Sequence, residues 1–338
     1  MSSGSASSAT KTAHSNLERF LHSVTPTVAS RTLRQSCVSD LNSLWQPPSK
    51  DKFEYFILQD LWDCYGEWSA FGVGTPVLLH TGETVFQYYV PYLSAIQIYC
   101  DKSVVASGNQ REDSDSAEFE SDSWSDDSVS DNLSRSLSNN SSRAWDFISE
   151  DSSFDLENPW PMRDKLGHLY LQYIETSSPY WRPPLMDKMT ELSQHHPALM
   201  TLKSVDLSPA SWMAVAWYPI YQIPCRKNEK ALSASFLTYH TLSSCFEEND
   251  GGNPEEGTSY SETSGTVIRD NSKEVNCSRI SLPPFGIATY KMEGNLWLKP
   301  ETSDYERIVN LYSAADSWLK QLNVRHHDFN FFTCHSFV

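Results

Sequence analysis

Between Ser103 and Asn158 the chain places 17 serines and 14 acidic residues against three arginines, and no compact core can absorb such a stretch. Runs such as SDSWSDDSVSD combine low hydrophobicity with like charge, which cannot offset the entropy of ordering a backbone, so disorder is the expectation. A second stretch, Glu247 to Arg279, sets eight acids against three bases and adds Gly and Pro. The formal charge of the 338 residues is −17, from 26 basic and 43 acidic side chains; the two stretches carry all but −1 of it. What remains is a nearly neutral, aromatic-rich protein. With residues 1–15 read as a loose Ser/Ala/Thr tail, the expected organisation is one domain over residues 16–338, interrupted by disordered acidic insertions at 103–158 and 247–279.

This charge distribution argues against a nucleic-acid or anionic-membrane surface, since both require clustered Lys and Arg. No apolar run approaches the roughly 18–20 residues of a transmembrane helix. No secretory pattern opens the sequence, so the cytoplasm, with nuclear residence compatible, is the expected location. Seven cysteines at positions 37, 64, 100, 225, 245, 277 and 334 never form CxxC, and read as reduced, mostly packed thiols.

The local patterns predict an α+β fold. Asp51 and Glu54 read as a capping box opening a helix with Phe53, Ile57 and Leu61 on one face and Gly66 as its stop. A second helix follows Pro184, with Leu185, Met189 and Leu192 in line and Pro197 beyond. The longest starts at Ser303, with Ile308, Tyr312, Ala315, Leu319 and Leu322 as its buried stripe and Asn323 as a left-handed cap. Strands are expected at 75–79, 84–90, 95–100, 166–175, 213–223, 232–242, 285–298 and 327–334, with Pro91 separating the second from the third. Segment 166–175 also fits a helix. Each insertion falls between two expected strands, so each reads as an overgrown hairpin loop, where doubling the length costs only about 0.6 kcal/mol. Helices do not alternate with strands, so the sheet is expected to be mainly antiparallel, with a few helices packed on it.

Several blocks resemble a family of plant proteins known as domain of unknown function 789. They are SNLERFL at Ser15, EWSAFGVGTPVLL at Glu67, VFQYYVPYLSAIQIY at Val85, SPYWRPPLMDKM at Ser178, DLSPASWMAVAWYPIYQIP at Asp206, SASFLTYHTLSS at Ser233 and PFGIATYK at Pro284. The resemblance implies a plant protein with an acidic Ser-rich insertion at the same place. It supplies no activity and no catalytic residues.

The residues themselves offer few signatures of chemistry. Gly72-Val73-Gly74 lacks the third glycine of a dinucleotide loop and precedes a strand, so a turn is the reading. No Walker loop, kinase set or GxSxG elbow is present. His326, His327, Cys334 and His335 flank one expected strand, where adjacent histidines point to opposite faces, and His195-His196 end a helix; surface and helix-end histidines are the favoured reading over a metal site. His240 reads as a hydrogen-bonded structural histidine in preference to a general base. No cofactor is implied.

The candidate binding surface is aromatic: Tyr180, Trp181 and Arg182 in a Pro-flanked loop, Asp187 as a partner for Arg182, and Trp212, Trp217 and Tyr221 on a strand. Filling of the sheet–helix core by the same rings is the favoured reading for these blocks, and they are the best candidates if a binding surface exists. Within the first insertion, Ser123, Ser128 and Ser152 each have an acid three residues later, the pattern of acidophilic kinase sites, and phosphorylation adds about −1.5 to −2 charges per site. Scattered Trp, Leu and Phe among these acids match segments that order on a partner. The sequence thus points to a non-enzymatic interaction protein with a phosphorylatable arm and a protein partner. The alternative is an enzyme or small-ligand carrier with a pocket between the two aromatic blocks.

Overall fold

The computed structural model describes residues 14–34, 52–101, 166–225, 230–244, 278–300 and 302–334. Apart from the last two residues of the tail and of the second acidic stretch, both insertions and the tail lie outside these, as do Ser123, Ser128 and Ser152.

Six helices and ten strands follow along the described chain: α1 (Asn16–Ser23), β1 (Thr27–Ala29), β2 (Arg31–Arg34), β3 (Lys52–Tyr55), α2 (Leu58–Phe71), β4 (Val73–Leu78), β5 (Thr84–Cys100) and β6 (His168–Ile174). Then come α3 (Leu185–His195), β7 (Trp212–Ile223), β8 (Ser235–Thr241), β9 (Arg279–Ser281), β10 (Gly286–Tyr290), α4 (Gly294–Trp297), α5 (Asp304–Gln321) and α6 (His327–Cys334). The fold is α+β, and its main sheet is antiparallel in the order β10-β8-β7-β5-β4, with β6 also on β5. Short two-stranded pairs, β1 with β9 and β2 with β3, flank it.

The first insertion joins two strands that pair directly, Cys100 lying opposite His168 and Ala95 opposite Ile174. After the second insertion the chain makes β9 on β1, then returns to β8 as β10, with Gly286 opposite Tyr239. The first insertion is thus an overgrown hairpin loop, as its position suggested; the second corrects that expectation, because it leaves β8 and re-enters at β9 in a separate pair, before β10 returns to β8.

The 17-residue β5 corrects the expectation that Pro91 separates two strands. β4 pairs with Thr84 to Tyr89 and β6 with Ala95 to Cys100, leaving Val90 to Leu93 with β7 alone. Pro91 sits in that gap, where a missing N–H deprives no second neighbour. The expected helix from Asp51 is also overturned: Lys52–Tyr55 pairs with Arg31–Arg34 as a strand. The helix begins at Leu58, buries Leu58, Leu61, Trp62 and Tyr65, and runs through Gly66. Gly72 ends it at φ 79°, ψ 158°, a conformation open essentially only to glycine.

His327–Cys334, expected as a strand, is a helix that buries Asp328, Phe329 and Phe332. Of the expected strand over 285–298 only Gly286–Tyr290 is extended, and Gly294–Trp297 is a helical turn. α3 starts after Pro184 and buries Leu185 and Met189, as its spacing implies. In α5 Ala315 and Leu319 are buried and Ile308 is half-buried against the core, while Tyr312 is 40% exposed with its ring stacked on Phe329. Asn323 takes φ 53° just beyond its end.

The sheet has two apolar faces. α1, α2, α3 and α4 cover the inner one, where Phe20 packs on Phe236 at 3.9 Å and meets Tyr89, Trp217 and Trp297 edge-on. α5 and α6 cover part of the outer one over Trp212, Tyr239 and Ala288. Fully burying one such large side chain stabilises by about 1.5–3 kcal/mol. α5 comes so close to β10 that a Cβ on Gly286 would stand 2.9 Å from the Ala315 Cβ.

At the far edge, β4 is closed by a side chain. Asn16 Oδ1 accepts from the Leu78 N–H at 2.8 Å, and Asn16 Nδ2 donates to the Leu78 carbonyl at 2.9 Å.

Candidate aromatic surface and its buried clamp

Pro179–Trp181 forms one 3₁₀ turn, closed by the Trp181 N–H donating to the Ser178 carbonyl at 3.0 Å. Its two rings point into solvent: Tyr180 is 93% and Trp181 84% exposed. Large aromatics are rarely left this bare, because each forgoes kcal-scale burial.

The turn is nevertheless held firmly from below. Arg182, immediately after it, is buried and forms a forked ion pair with Asp328 of α6, Nη1 to Oδ2 at 2.5 Å and Nη2 to Oδ1 at 2.8 Å. Its Nε and Nη2 also donate to the Ser177 carbonyl, at 2.9 and 2.6 Å. Ser177 is fixed a second time, since Glu175 Oε1 accepts its N–H at 2.7 Å and that of Thr176 at 2.9 Å. Tyr173 donates its hydroxyl to the other Glu175 oxygen at 2.6 Å. Burial works to raise the Glu175 pKa, but the hydrogen bonds from Tyr173 and Ser177 and the Arg182 charge outweigh it, and the carboxyl stays below its usual range.

Beneath the clamp lies a buried polar chain. The ladder between β5 and β7 slips at Ser94, so that Leu93 faces Val215 and Ala95 faces Ala214. This bulge turns Ser94 toward α6, as bulges commonly re-aim a side chain. Ser94 Oγ donates to Asp328 Oδ2 at 2.5 Å and lies 2.8 Å from His326 Nε2, while Tyr239 Oη lies 2.7 Å from His326 Nδ1. An ionised carboxylate only accepts, so the one Ser94 proton goes to Asp328, and Ser94 must accept from His326 Nε2–H. His326 Nδ1 is then the acceptor for the Tyr239 hydroxyl.

These are the residue types of a hydrolase triad with the wrong proton order: His326 is protonated on the nitrogen facing Ser94 and cannot take the serine's proton. Burial lowers the His326 pKa to about 4, against the opposing pull of Asp328, so the ring is neutral near pH 7. Burial also works to raise the Asp328 pKa, yet Arg182 and Ser94 hold it below the usual carboxylate range. The cluster is a buried fastening, with Ser94, Arg182, His326 and Asp328 all shielded from solvent.

The other candidates separate into core and surface. Trp212 and Trp217 are fully buried, their indole N–H groups donating to Gln97 Oε1 and Thr238 Oγ1, both at 2.9 Å. Arg182 pairs with Asp328 and not with the expected Asp187, which is exposed. Tyr221 is on the uncovered end of the outer face, stacked on Tyr88 at 4.5 Å, its hydroxyl donating to the Phe71 carbonyl at 3.1 Å. Phe71, Phe86, Ile220 and Ile223 are exposed around it. Tyr92 and Tyr218 meet edge to face with ring centroids 5.7 Å apart, and both feel the Arg182 charge, which connects this face to the clamp.

His240 is buried between the Leu282 carbonyl at 3.0 Å and Thr238 Oγ1 at 2.9 Å, with its pKa lowered by burial to about 4. Burial pushes the Cys100 thiol up to about 12, whereas Cys225 and Cys334 are exposed, contrary to the expectation of mostly packed thiols for those two. Among the described residues no three His, Cys, Asp or Glu side chains are grouped to hold a metal, and no helix is long and apolar enough to cross a membrane.

Sequence reasoning found the Tyr180–Trp181 turn but missed Ser94, His326 and Asp328 as its support. Bonds spanning 146 and 232 positions leave no local signal. A family model described as "Protein of unknown function (DUF789)" matches residues 15–332. No curated protein and no solved structure matches the chain.

Proposed function

The chain belongs to the DUF789 family, whose function is not established, and from that premise we propose that it is a non-enzymatic interaction protein whose rigid core presents Tyr180 and Trp181 to a protein partner. The observation that carries this reading is the pairing of near-complete exposure of both rings with a turn clamped from below by the buried Arg182–Asp328 pair. Trp, Tyr and Arg dominate binding hot spots, and a turn ordered in advance reduces the entropy lost on association. The acidic insertion at 103–158, net −11, favours a partner with a basic surface. Phosphorylation at Ser123, Ser128 and Ser152 would raise that charge and tune the association. Residues 1–15 would be a tail to the single domain, and the location would be the cytoplasm or nucleus.

The test is affinity purification with mass spectrometry from plant tissue. It compares the full chain, a Tyr180→Ala/Trp181→Ala variant and a variant lacking residues 103–158. Loss of a partner with the double variant supports the turn as the contact. Loss only on deletion moves the contact to the arm, and equal recovery with all three removes the proposal.

A further inference from the structure

Among the described residues, α5 and α6 cover the outer face of the sheet only toward one end. Toward the other, β4, β5 and β7 pair so that Pro76, Phe86 and Ile223 form one row across the three strands and Gly74, Tyr88 and Tyr221 the next. The Tyr88 ring lies over β4 because Gly74 has no side chain; a Cβ there would stand 3.1 Å from the ring. Phe71 is 69%, Ile223 53% and Phe86 47% exposed, with Leu78, Ile220 and Tyr221 open beside them. None of the three strands contains an Asp, Glu, Lys, Arg or His. These six side chains leave about 500 Å² of apolar surface bare, which is at the upper end for a monomer and approaches the roughly 800 Å² that each partner gives to a stable complex.

The placement of charge selects the occupant. A chain of net −17 repels its own copies wherever its acids face each other, yet all but −1 of that charge belongs to the two acidic stretches. The first stretch departs beyond Cys100, about 45 Å along β5 from Phe86. The second departs after β8, whose last residue, Thr241, lies opposite Trp212 and about 35 Å along β7 from Ile223. Both points of attachment are several screening lengths from the bare rows, one length being about 8 Å at physiological ionic strength. An uncharged face suits a partner face that is itself uncharged, and the same rows on a second copy meet that condition.

We propose that the rows around Phe86 and Tyr221 form a two-fold contact with the same rows of a second copy. The two sheets stack about 10 Å apart, each giving the same patch, as a closed dimer requires. Asn16 occupies the backbone groups of Leu78 at the β4 edge, so the copies join by their faces and not by their edges. This inference does not depend on the Tyr180–Trp181 reading.

The experiment is sedimentation velocity on the full chain between about 1 and 100 μM, the span in which micromolar contacts are read. A monomer–dimer equilibrium is expected. Phe86→Lys and Ile223→Lys should each weaken it at least about tenfold by burying an unpaired charge, whereas Tyr180→Ala/Trp181→Ala should leave it unchanged. Thermal melts establish that each variant is folded. Hydroxyl-radical footprinting of the unmutated chain needs no variant: labelling of Phe86 and Tyr221 should fall at least about threefold from the lowest to the highest concentration, while that of Tyr180 stays constant. A chain that stays monomeric throughout overturns the proposal, whether Phe86 is then labelled strongly, as a site for another protein, or weakly, as a surface covered by the chain itself. A dimer that persists in both lysine variants, leaves Phe86 labelling unchanged, or dissolves only in the Tyr180→Ala/Trp181→Ala variant overturns it as well.

Discussion

Arg182 and Asp328 meet as a forked ion pair whose side chains are almost fully buried, and they lie 146 positions apart in the chain. The pair joins the Tyr180 turn to the last described helix. Through Ser94 it also joins both to the bulge of the longest strand. Buried pairs are rarely strong net stabilisers, because desolvation offsets most of the attraction, but breaking one leaves an uncompensated buried charge.

Arg182→Met and Asp328→Asn should therefore each destabilise by about 3–5 kcal/mol, and the double variant by clearly less than their sum. Urea unfolding of the four proteins measures the coupling. Additive losses would mean that the two side chains act independently.

Acidification should weaken the fold in two windows. His240 and His326 have folded pKa values near 4, below the unfolded value of about 6.5. Between these limits the unfolded chain binds protons that the native one does not, so stability falls as pH drops from about 6.5 to 4. Each histidine contributes on the order of 3 kcal/mol across that window. Asp328 has a depressed folded pKa, so its contribution is present above about pH 4 and is lost as pH falls through the folded value. Thermal melts from pH 7 to 4.5 should show the first window, and His240→Gln should flatten it.

Gly286→Ala should destabilise by about 1–3 kcal/mol, since its Cβ meets the Ala315 Cβ at 2.9 Å and the backbone of α5 at 3.2 Å. Ala315→Gly in the same chain should recover part of the loss. A melting temperature for the double variant no higher than that of Gly286→Ala alone would place the difficulty elsewhere.

Tyr65 and Tyr89 bury their hydroxyls without a hydrogen-bond partner among the described residues. Replacing either with Phe removes an unsatisfied polar atom and keeps the ring, so stability should hold or rise by about 1 kcal/mol. Denaturant midpoints decide this, and a loss above that size would indicate a bridging water.

Much of the architecture was legible because it rests on local pattern. Leu185, Met189 and the flanking prolines mark α3, and the first acidic stretch lies between strands that do pair. The errors arose where distant partners override local preference. Asp51 and Glu54 carry a helix-start signature, but Arg31–Arg34 offers Lys52–Tyr55 a strand to join. The aromatics of α6 fit a strand by composition, and the helix is fixed by Asp328 reaching Arg182, by Phe329 stacking on Tyr312 of α5 and by Phe332 packing on Tyr218 and Tyr290. Trp212 and Trp181 are equally conspicuous in sequence; only the helices laid over one face make the first core and leave the second bare.

The amide of Asn16 has a consequence for how copies of this protein meet. By occupying both outward backbone groups of Leu78, it identifies the alternate positions along β4 as those facing away from β5, and Pro76, two residues earlier, has no N–H to offer there. An incoming strand would find one site plugged and the next lacking a donor. Fibril-like growth is thus blocked on this side, and any assembly there must proceed through side-chain surfaces.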